Sequence, residues 1–363
     1  MLNKANANLP DMRKLSVTRF WILLVLLWSV SATAQDTAEE ERPGDTPQDQ
    51  APTKQAPADV PHKVGYEKPE GGLGGPSSVR AQLEEDDRLP DPVRRFPRFD
   101  SVFKPWFDFK SRVNEDYGLK FGVNYTAVYQ GLNADASLTG EDTASTGIAR
   151  LYGSWTLLGR GTKNTGSLIF NVDHRHRIGT RIAPAGLAGQ AGYIGVTGTL
   201  FNDVELVVVD LNWQQLLNNG NTGLLAGRFD PNDYLGVLGY ANPWTTFSNV
   251  ATLLNPSVAF PDMGYGVGAG RWINGQWYVK GSISDANGLL TDLDFYQGGS
   301  EFFTWGEVGW SPSKSERYTC NIHIAVWHVD ECHEVGVDAA DGVVSGANWT
   351  TRDDRWMGFF RAG

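Results

Sequence analysis

The chain has little of what builds several common classes of protein. Two cysteines among 363 residues cannot form a disulfide framework, so a small disulfide-stapled domain is excluded. Basic residues are the minority, and a formal net charge of -11 offers no electrostatic surface for nucleic acid or an anionic membrane. A mean hydropathy of -0.32 excludes a bundle of transmembrane helices. Glycine, in contrast, is abundant at 42 residues, well above the usual ~7%, which favours β structure with many turns.

The only strongly apolar run lies near the N-terminus, where FWILLVLLWSV occupies residues 20–30. Basic residues precede this run, and the small residues Ala32 and Ala34 follow it. The pattern predicts a secretory signal peptide over residues 1–34, cleaved after Ala34. A signal anchor is the alternative, but the run is well short of the ~20 apolar residues that span a bilayer.

Residues 35–95 are dominated by proline, acidic residues and small polar residues. Such a stretch buries too little apolar surface to offset its ordering entropy, so we expect a disordered linker. The alternative is a proline-rich spacer that reaches peptidoglycan or a partner. Residues 96–118 carry Phe103, Trp106 and Phe107 at roughly helical spacing, which predicts a short amphipathic helix.

From Leu119 onward, apolar and polar residues alternate with period two, as in LKFGVNYTAVYQ. This alternation is typical of strands with an apolar outer face and a polar inner face. About ten strands are predicted. They begin at Leu119 and continue at about 148–160, 167–176, 204–216, 223–230, 264–273, 276–285, 302–311, 317–329 and 354–362.

The predicted connections alternate in length. Short ones fall at 161–166, 217–222, 274–275 and 311–315, and long ones at 134–147, 177–203, 231–263, 286–301 and 330–353. Short turns on one side and long loops on the other indicate a transmembrane, antiparallel, up-and-down β-barrel of the outer-membrane type. A soluble secreted β-sandwich that binds carbohydrate is the alternative, and for it this sorting would be a coincidence.

Three stretches resemble the carbohydrate-selective porins of the OprB family. They are LNWQQ at 211–215, the run from AGRFDPNDYLG to PDMGYGVG, and YVKGSISDANG at 278–288. The resemblance covers about residues 119–363. It implies a sixteen-stranded outer-membrane channel that lets sugars diffuse passively. Both a monomer and a homotrimer are compatible with the sequence. A non-selective general porin is the alternative.

The sequence stops at DDRWMGFFRAG, without the terminal aromatic residue that ends barrels of this kind. Ten strands against an implied sixteen predict that this barrel is partial. We therefore expect that the 363 residues alone form no working pore.

A barrel of that size needs a constriction, which an inward-folded loop usually provides. The longest connection, 231–263, is the candidate, with Tyr234 and Trp244 as aromatic contacts for a sugar ring. Strand alternation supplies polar candidates for hydroxyl groups. They are Asn212 and Gln214 on one strand, Arg228 and Asp230 at the end of the next, which also match the family motif, and Arg271. Arg150, Asn171, Asp173, Arg175 and Lys280 are predicted to face inward by the same alternation.

No sequence feature supports an enzyme. His174 and His176 share a strand face, but Asp173 lies on the other, so no metal-ligand set closes and no metal site is expected. Nucleotide-binding loops and the Gly-x-Ser-x-Gly elbow do not occur. The predicted partners are sugars in transit and outer-membrane lipid, with no nucleic acid and no cofactor.

Overall fold

The computed structural model describes residues 74–86, 97–133, 140–191, 197–198, 200–293, 301–332, 336–351 and 355–363. The expected signal peptide and residues 35–73 and 87–95 of the expected linker lie outside the described residues. Within the described part of the chain, no helix is long and apolar enough to cross a membrane.

The described residues form an eleven-stranded antiparallel sheet in which every strand pairs with its neighbours in sequence, from β1 to β11. The predicted all-β, up-and-down architecture is confirmed. The strands are β1 (Leu119–Gly131), β2 (Thr143–Leu158), β3 (Gly166–Arg177), β4 (Glu205–Leu217), β5 (Thr222–Phe229), β6 (Gly264–Ile273), β7 (Trp277–Asp285), β8 (Phe302–Trp310), β9 (Cys320–Val329), β10 (Ala340–Thr350) and β11 (Met357–Ala362). The helices are α1 (Val79–Asp86), α2 (Pro97–Tyr117), α3 (Leu187–Ala191) and α4 (Val250–Leu253).

The predicted long loop at 330–353 is wrong, because it contains β10. This strand pairs with β9 over ten positions, from Ala340 opposite Val329 to Trp349 opposite Cys320. Its sequence, ADGVVSGANWT, includes Asp, Asn and two Gly, which have low strand propensity. Pairing with β9 therefore decides its conformation. The alternation of longer and shorter connections continues, with 330–339 before β10 and 351–356 after it.

The sheet has two chemically different faces. On β9, Ile322, Ile324 and Val326 are exposed while the residues between them are buried. We call the exposed face the outer face and the opposite face, which the loops cover, the inner face. Large apolar side chains exposed on the outer face are Val123, Tyr125, Leu211, Leu224, Val267, Val279, Ile283, Val308, Ile322, Ile324, Val326 and Val343.

Tryptophans follow one rim of the outer face, at the strand ends that the shorter connections join. They are Trp155, Trp213, Trp277, Trp310 and Trp349. Trp277 and Trp310 are direct cross-strand partners. Amphipathic rings in this position are typical of a membrane–water interface.

The connection from β5 to β6 folds over the inner face. Its Leu235 belongs to a buried apolar cluster with Phe303, Trp305 and Trp327 of β8 and β9. Phe260, from the same connection, stacks on Trp305 with ring centroids 5.5 Å apart. We call residues 230–263 the inner loop.

Residues 74–86 correct the expectation of a disordered linker for their part of the chain. They form a turn and helix α1, whose Val79 and Leu83 are buried against Tyr152 and Ile169. The segment alone has few apolar residues, but the inner face of β2 and β3 supplies the partners that it lacks. Helix α2 lies where an amphipathic helix was expected, and its Trp106 packs edge-on against Phe121 of β1.

Candidate functional site

A strip of polar side chains crosses the inner face of β2, β3 and β4. Its members are Arg150, Asn171, Asp173, Arg175, Asp210, Asn212 and Gln214. Antiparallel pairing sets Arg150 opposite Asp173 and Asn171 opposite Asp210. We call this set the polar strip. All seven side chains are buried.

The centre of the polar strip is a carboxylate between two guanidinium groups. Arg150 Nε lies 3.2 Å from Asp173 Oδ1, and Arg175 Nη2 lies 2.8 Å from Asp173 Oδ2. Arg150 also stacks on Trp244 of the inner loop, with its guanidinium carbon 3.8 Å from the ring centroid. The loop thus places an aromatic ring beside an arginine of the strip.

Four polar atoms of the strip have no hydrogen-bond partner among the described residues. They are Asn171 Oδ1, Arg175 Nη1, Asp210 Oδ2 and Asn212 Oδ1. Buried polar atoms are usually satisfied, so three oxygens and one guanidinium nitrogen in one strip favour a site that exchanges hydrogen bonds with small polar molecules.

A second polar cluster fastens the inner loop to β7, β8 and β9. Lys280 lies 3.1 Å from Glu307 Oε1 and donates to Tyr234 O at 2.7 Å. Glu307 Oε2 accepts from Gly236 N at 3.0 Å, and Tyr278 donates to Oε1 at 2.9 Å. Only Lys280 was predicted to face inward. Glu307 follows from the alternation of FFTWGEVGW, in which Val308 is the exposed neighbour.

Asn212, Gln214 and Tyr234, three of the predicted constriction residues, lie close together in the structure. Asn212 and Gln214 are on the inner face of β4. Asn212 Nδ2 donates to Asp210 Oδ1 at 3.3 Å, and Gln214 Nε2 donates to the Tyr234 hydroxyl at 2.9 Å. The strand and the inner loop therefore meet at a direct side-chain contact.

The predicted inward position of Arg228 is wrong. Residues that pair directly across two antiparallel strands lie on the same face of the sheet. Arg228 pairs with Leu211, which is exposed on the outer face, whereas Leu225 pairs with Gln214, which faces inward. Arg228 is fully buried and donates to the carbonyls of Val208 at 2.7 Å and Leu289 at 2.6 Å. Adjacent leucines in GLLAGRF gave no signal for which one faces inward.

The alternation is also interrupted on β4, where Val207 and Val209 are both buried and pack with Met263. The register between β3 and β4 shifts at Asn171 and Val172, and a β-bulge of this kind reverses the alternation on one side of it.

Arg271 is also misplaced by the sequence prediction, since it is exposed on the outer face. It alternates with Trp272, which points inward and packs on Tyr278 with ring centroids 5.0 Å apart. Arg271 lies two residues before the end of β6, at the tryptophan rim, where a charged group meets water or lipid headgroups.

Asp230 shapes the start of the inner loop. Its Oδ1 accepts from the backbone N–H of Asn232 at 2.9 Å and caps the 3-10 turn Pro231–Asp233. Burial, with the nearby Asp230 charge as the next cause, raises the pKa of Asp233 to about 7. Burial also raises the pKa of Asp230.

Among the described residues, no group of three or more His, Cys, Asp or Glu side chains could hold a metal ion. The polar strip is instead built from amide, carboxylate and guanidinium groups around a tryptophan. Such groups bind neutral solutes that carry many hydroxyls.

One solved structure of the family that the sequence resembles is similar to this chain. It is the high-pH structure of OprB from Pseudomonas putida, with 12% identity, a TM-score of 0.48, and coverage of 68% of this chain and 64% of that chain. The chain thus spans less than two thirds of the length of that structure. No protein-family model matches the chain, and no curated protein matches it.

Proposed function

We propose that this chain forms the wall of an outer-membrane channel for passive diffusion of carbohydrates. The observation that carries the proposal is the chemical difference between the two faces of one eleven-stranded sheet. The outer face exposes aliphatic side chains on nearly every strand and has a tryptophan rim. The inner face buries a strip of charged and amide groups. Lipid solvates a surface of the first kind, whereas a water-filled path suits the second.

The outer face disfavours a soluble β-sandwich. A sandwich buries its apolar residues between two sheets and exposes polar residues on the outside. Here Val123, Val267, Ile324 and Val326 are each more than half exposed. A contiguous apolar surface of this extent on a soluble monomer would cause aggregation.

The polar strip favours sugars over ions as the preferred solutes. Asp173 and Asp210 offset the formal charges of Arg150 and Arg175 within the strip, which leaves little net field to select an ion. Asn171 Oδ1, Asn212 Oδ1 and Arg175 Nη1 can exchange hydrogen bonds with hydroxyls. Trp244 offers a flat apolar surface for a sugar ring, which amide and carboxylate groups cannot provide.

Liposome swelling tests this function. We expect a channel that contains this chain to admit glucose faster than a neutral amino acid of similar size. Arg150→Lys keeps the charge but loses the planar fork that contacts Asp173 and Trp244, so discrimination should fall. Arg271→Lys, on the outer face, is the matched control and should discriminate like the unmodified chain.

Two outcomes would contradict the proposal. Equal swelling with both solutes in the unmodified chain would indicate a non-selective porin. Recovery of the chain from the periplasmic fraction, with no swelling activity, would favour the soluble carbohydrate-binding alternative.

A further inference from the structure

The N-terminal segment, residues 74–86, lies across the inner face of the sheet. At one end, the Tyr318 hydroxyl, just before β9, donates to Gly74 O at 2.7 Å. At the other end, the Tyr152 hydroxyl of β2 donates to Asp86. Six strands separate β2 from β9 in the sheet order. The segment therefore bridges distant parts of the sheet instead of following one strand.

The middle of the N-terminal segment touches the inner loop. Gly75 N donates to Asp233 O at 2.7 Å, and the Asn242 side chain donates to Pro76 O at 3.2 Å. A side chain at Gly75 would meet Val237 at 2.9 Å, so the two backbones approach closely. Loop and segment thus meet over the inner face.

Little space remains where the two meet. A cavity of about 20 Å³ lies between Gly75, Pro76 and the inner-loop residues Leu235 and Val237. A second cavity of about 20 Å³ lies between Gly74, Val237 and Lys280. Each has room for about one water molecule. A sugar cannot pass there while these contacts hold.

A much larger space opens on the side of the shorter connections. This cavity of about 900 Å³ is lined by Arg80, Leu83 and Glu84 of helix α1, and by turn residues such as Lys163 and Lys314. Helix α1 therefore forms part of the boundary between the open space and the tightly packed interior.

The N-terminal segment also forms a hydrogen bond with one member of the polar strip. Arg150 Nη1 donates to the Gln82 side-chain oxygen at 2.7 Å. This oxygen takes the place that a sugar hydroxyl would take on the same guanidinium. A solute that binds Arg150 in this way must displace Gln82.

We propose that the N-terminal segment is a plug that closes the solute path and leaves it reversibly when a solute passes. This proposal rests on the proposed channel function, because only a channel has a solute path that the segment could close. It adds a movable element to that function, in which Gln82 competes with the solute for Arg150.

The contacts of the plug are suited to release. Helix α1 has eight residues, fewer than the ~12–15 at which isolated helices become marginally stable. Its apolar contact is limited to Val79 and Leu83 against Tyr152 and Ile169. Arg80 Nε and Nη2 are buried with no hydrogen-bond partner among the described residues, which disfavours the inserted position.

Thiol labelling tests plug movement without relying on sugar transport. Val79→Cys and Ile148→Cys would each be made in a chain whose two natural cysteines are replaced by serine. Val79 and Ile148 are both fully buried, on the plug and on β2 respectively. A membrane-impermeant maleimide should modify position 79 at least about ten-fold faster than position 148, because only the plug opens locally. Equal protection of both positions would overturn the proposal.

Hydrogen exchange on the unmodified chain covers the case in which a cysteine variant does not fold. Backbone amides of helix α1 should exchange at least about ten-fold faster than those of β2. Comparable protection of α1 and β2 would also overturn the plug.

Ion conductance links the movement to flux. Tyr318→Phe removes the hydrogen bond to Gly74 O and keeps the ring. Losing one such bond shifts an opening equilibrium roughly three- to ten-fold, and the conducting fraction should rise accordingly. Tyr129→Phe changes an exposed phenol on the outer face and should leave conductance unchanged. An unchanged conductance in Tyr318→Phe would overturn the plug.

The two proposals fail differently. Ion conductance that rises in Tyr318→Phe but never responds to sugar would leave the plug standing and refute the carbohydrate function. Sugar flux with full protection of position 79 would refute the plug and leave the function standing.

Discussion

Arg150 and Asp173 face each other across β2 and β3, with Nε 3.2 Å from Oδ1 and both side chains 1% exposed. Arg150 also contacts Trp244 of the inner loop and Gln82 of the N-terminal segment. A single guanidinium thus joins the sheet, the loop and the segment. This convergence makes Arg150 and Asp173 the most informative residues to change.

Asp173→Asn should destabilise the fold strongly. The change leaves Arg150 and Arg175 buried without their shared carboxylate, and breaking a buried ion pair in this way costs about 3–5 kcal/mol. Urea unfolding followed by tryptophan fluorescence would measure the loss. Asp203→Asn is the matched control, because Asp203 pairs with Arg177 at the surface and such pairs contribute about 0–1 kcal/mol. Similar losses in the two variants would refute a special role for the buried pair.

Trp244→Leu should weaken sugar binding more than it weakens folding. It removes the ring that stacks on Arg150, and a desolvated cation–π contact contributes up to about 2 kcal/mol. The glucose concentration that half-blocks ion current should rise several-fold. Phe247→Leu changes a half-exposed aromatic residue of the same loop and should have little effect. Equal block in both variants would remove Trp244 from the solute path.

Asp233 predicts a pH dependence of the contact between the inner loop and the N-terminal segment. Its ordinary pKa is 3.8, and burial followed by the Asp230 charge raises the pKa to about 7. An acid with a raised folded pKa favours the folded arrangement below its ordinary pKa, and this contribution is lost as pH rises towards the folded pKa. The segment should therefore be held more tightly at pH 5 than at pH 8.

The groups that face Asp233 work in both directions. Arg150 and a hydrogen bond from Ser77 lower its pKa, while Asp173 raises it. Asp233→Asn should flatten the change in hydrogen exchange of helix α1 between pH 5 and pH 8. Asp338→Asn, in an exposed loop position, should preserve it. If the hydrogen exchange of helix α1 changes with pH as steeply in Asp233→Asn as in the unmodified chain, Asp233 is not the group that causes the pH dependence.

The outer face predicts a position-dependent cost for charge. Arginine at the middle of a lipid-facing strand costs about 2–4 kcal/mol, and much less near its ends. Ile324→Arg lies mid-strand on β9, whereas His328→Arg lies near the end of the same strand on the same face. Refolding into lipid vesicles can be monitored by the heat-dependent shift in gel mobility. It should fail at a lower urea concentration for Ile324→Arg, whereas His328→Arg should refold like the unmodified chain. Equal tolerance would argue against a lipid-facing surface.

The two cysteines should remain reduced thiols. Cys320 begins β9, and Cys332 lies twelve residues later, beyond the end of that strand, so at ~3.3 Å per residue their separation approaches ~40 Å. A disulfide needs Cα atoms closer than ~7 Å. Both are free in the structure, and burial raises the pKa of the Cys332 thiol. Non-reducing peptide mapping should find no bridge within one chain, and a bridge would refute the β9 register.

Period-two alternation was enough to predict most strands, because each side chain follows from the pleat of an extended backbone. LKFGVNYTAVYQG and CNIHIAVWHV show it clearly, and both strands lie where they were predicted. Alternation failed where residues of one kind are adjacent. Leu224 and Leu225 could not be assigned to a face, so the position of Arg228 was inverted.

Two features depended on the partners of a segment rather than on its own residues. Strand β10 has weak strand propensity and forms because β9 offers a ten-position ladder. The bulge between β3 and β4 reverses the faces of Val207 and Val209, and no residue in VELVVVDLN marks it.

The sequence by itself determined the alternating strands and the sorting of the connections by length, because these follow from local pattern and chain length. Tertiary structure alone decided that residues 74–86 fold onto the inner face. Their composition is too polar to order itself, and Val79 and Leu83 gain their burial from Tyr152 and Ile169, more than 60 positions later in the chain. A contact of that kind depends on how the sheet brings strands together, which local sequence does not encode.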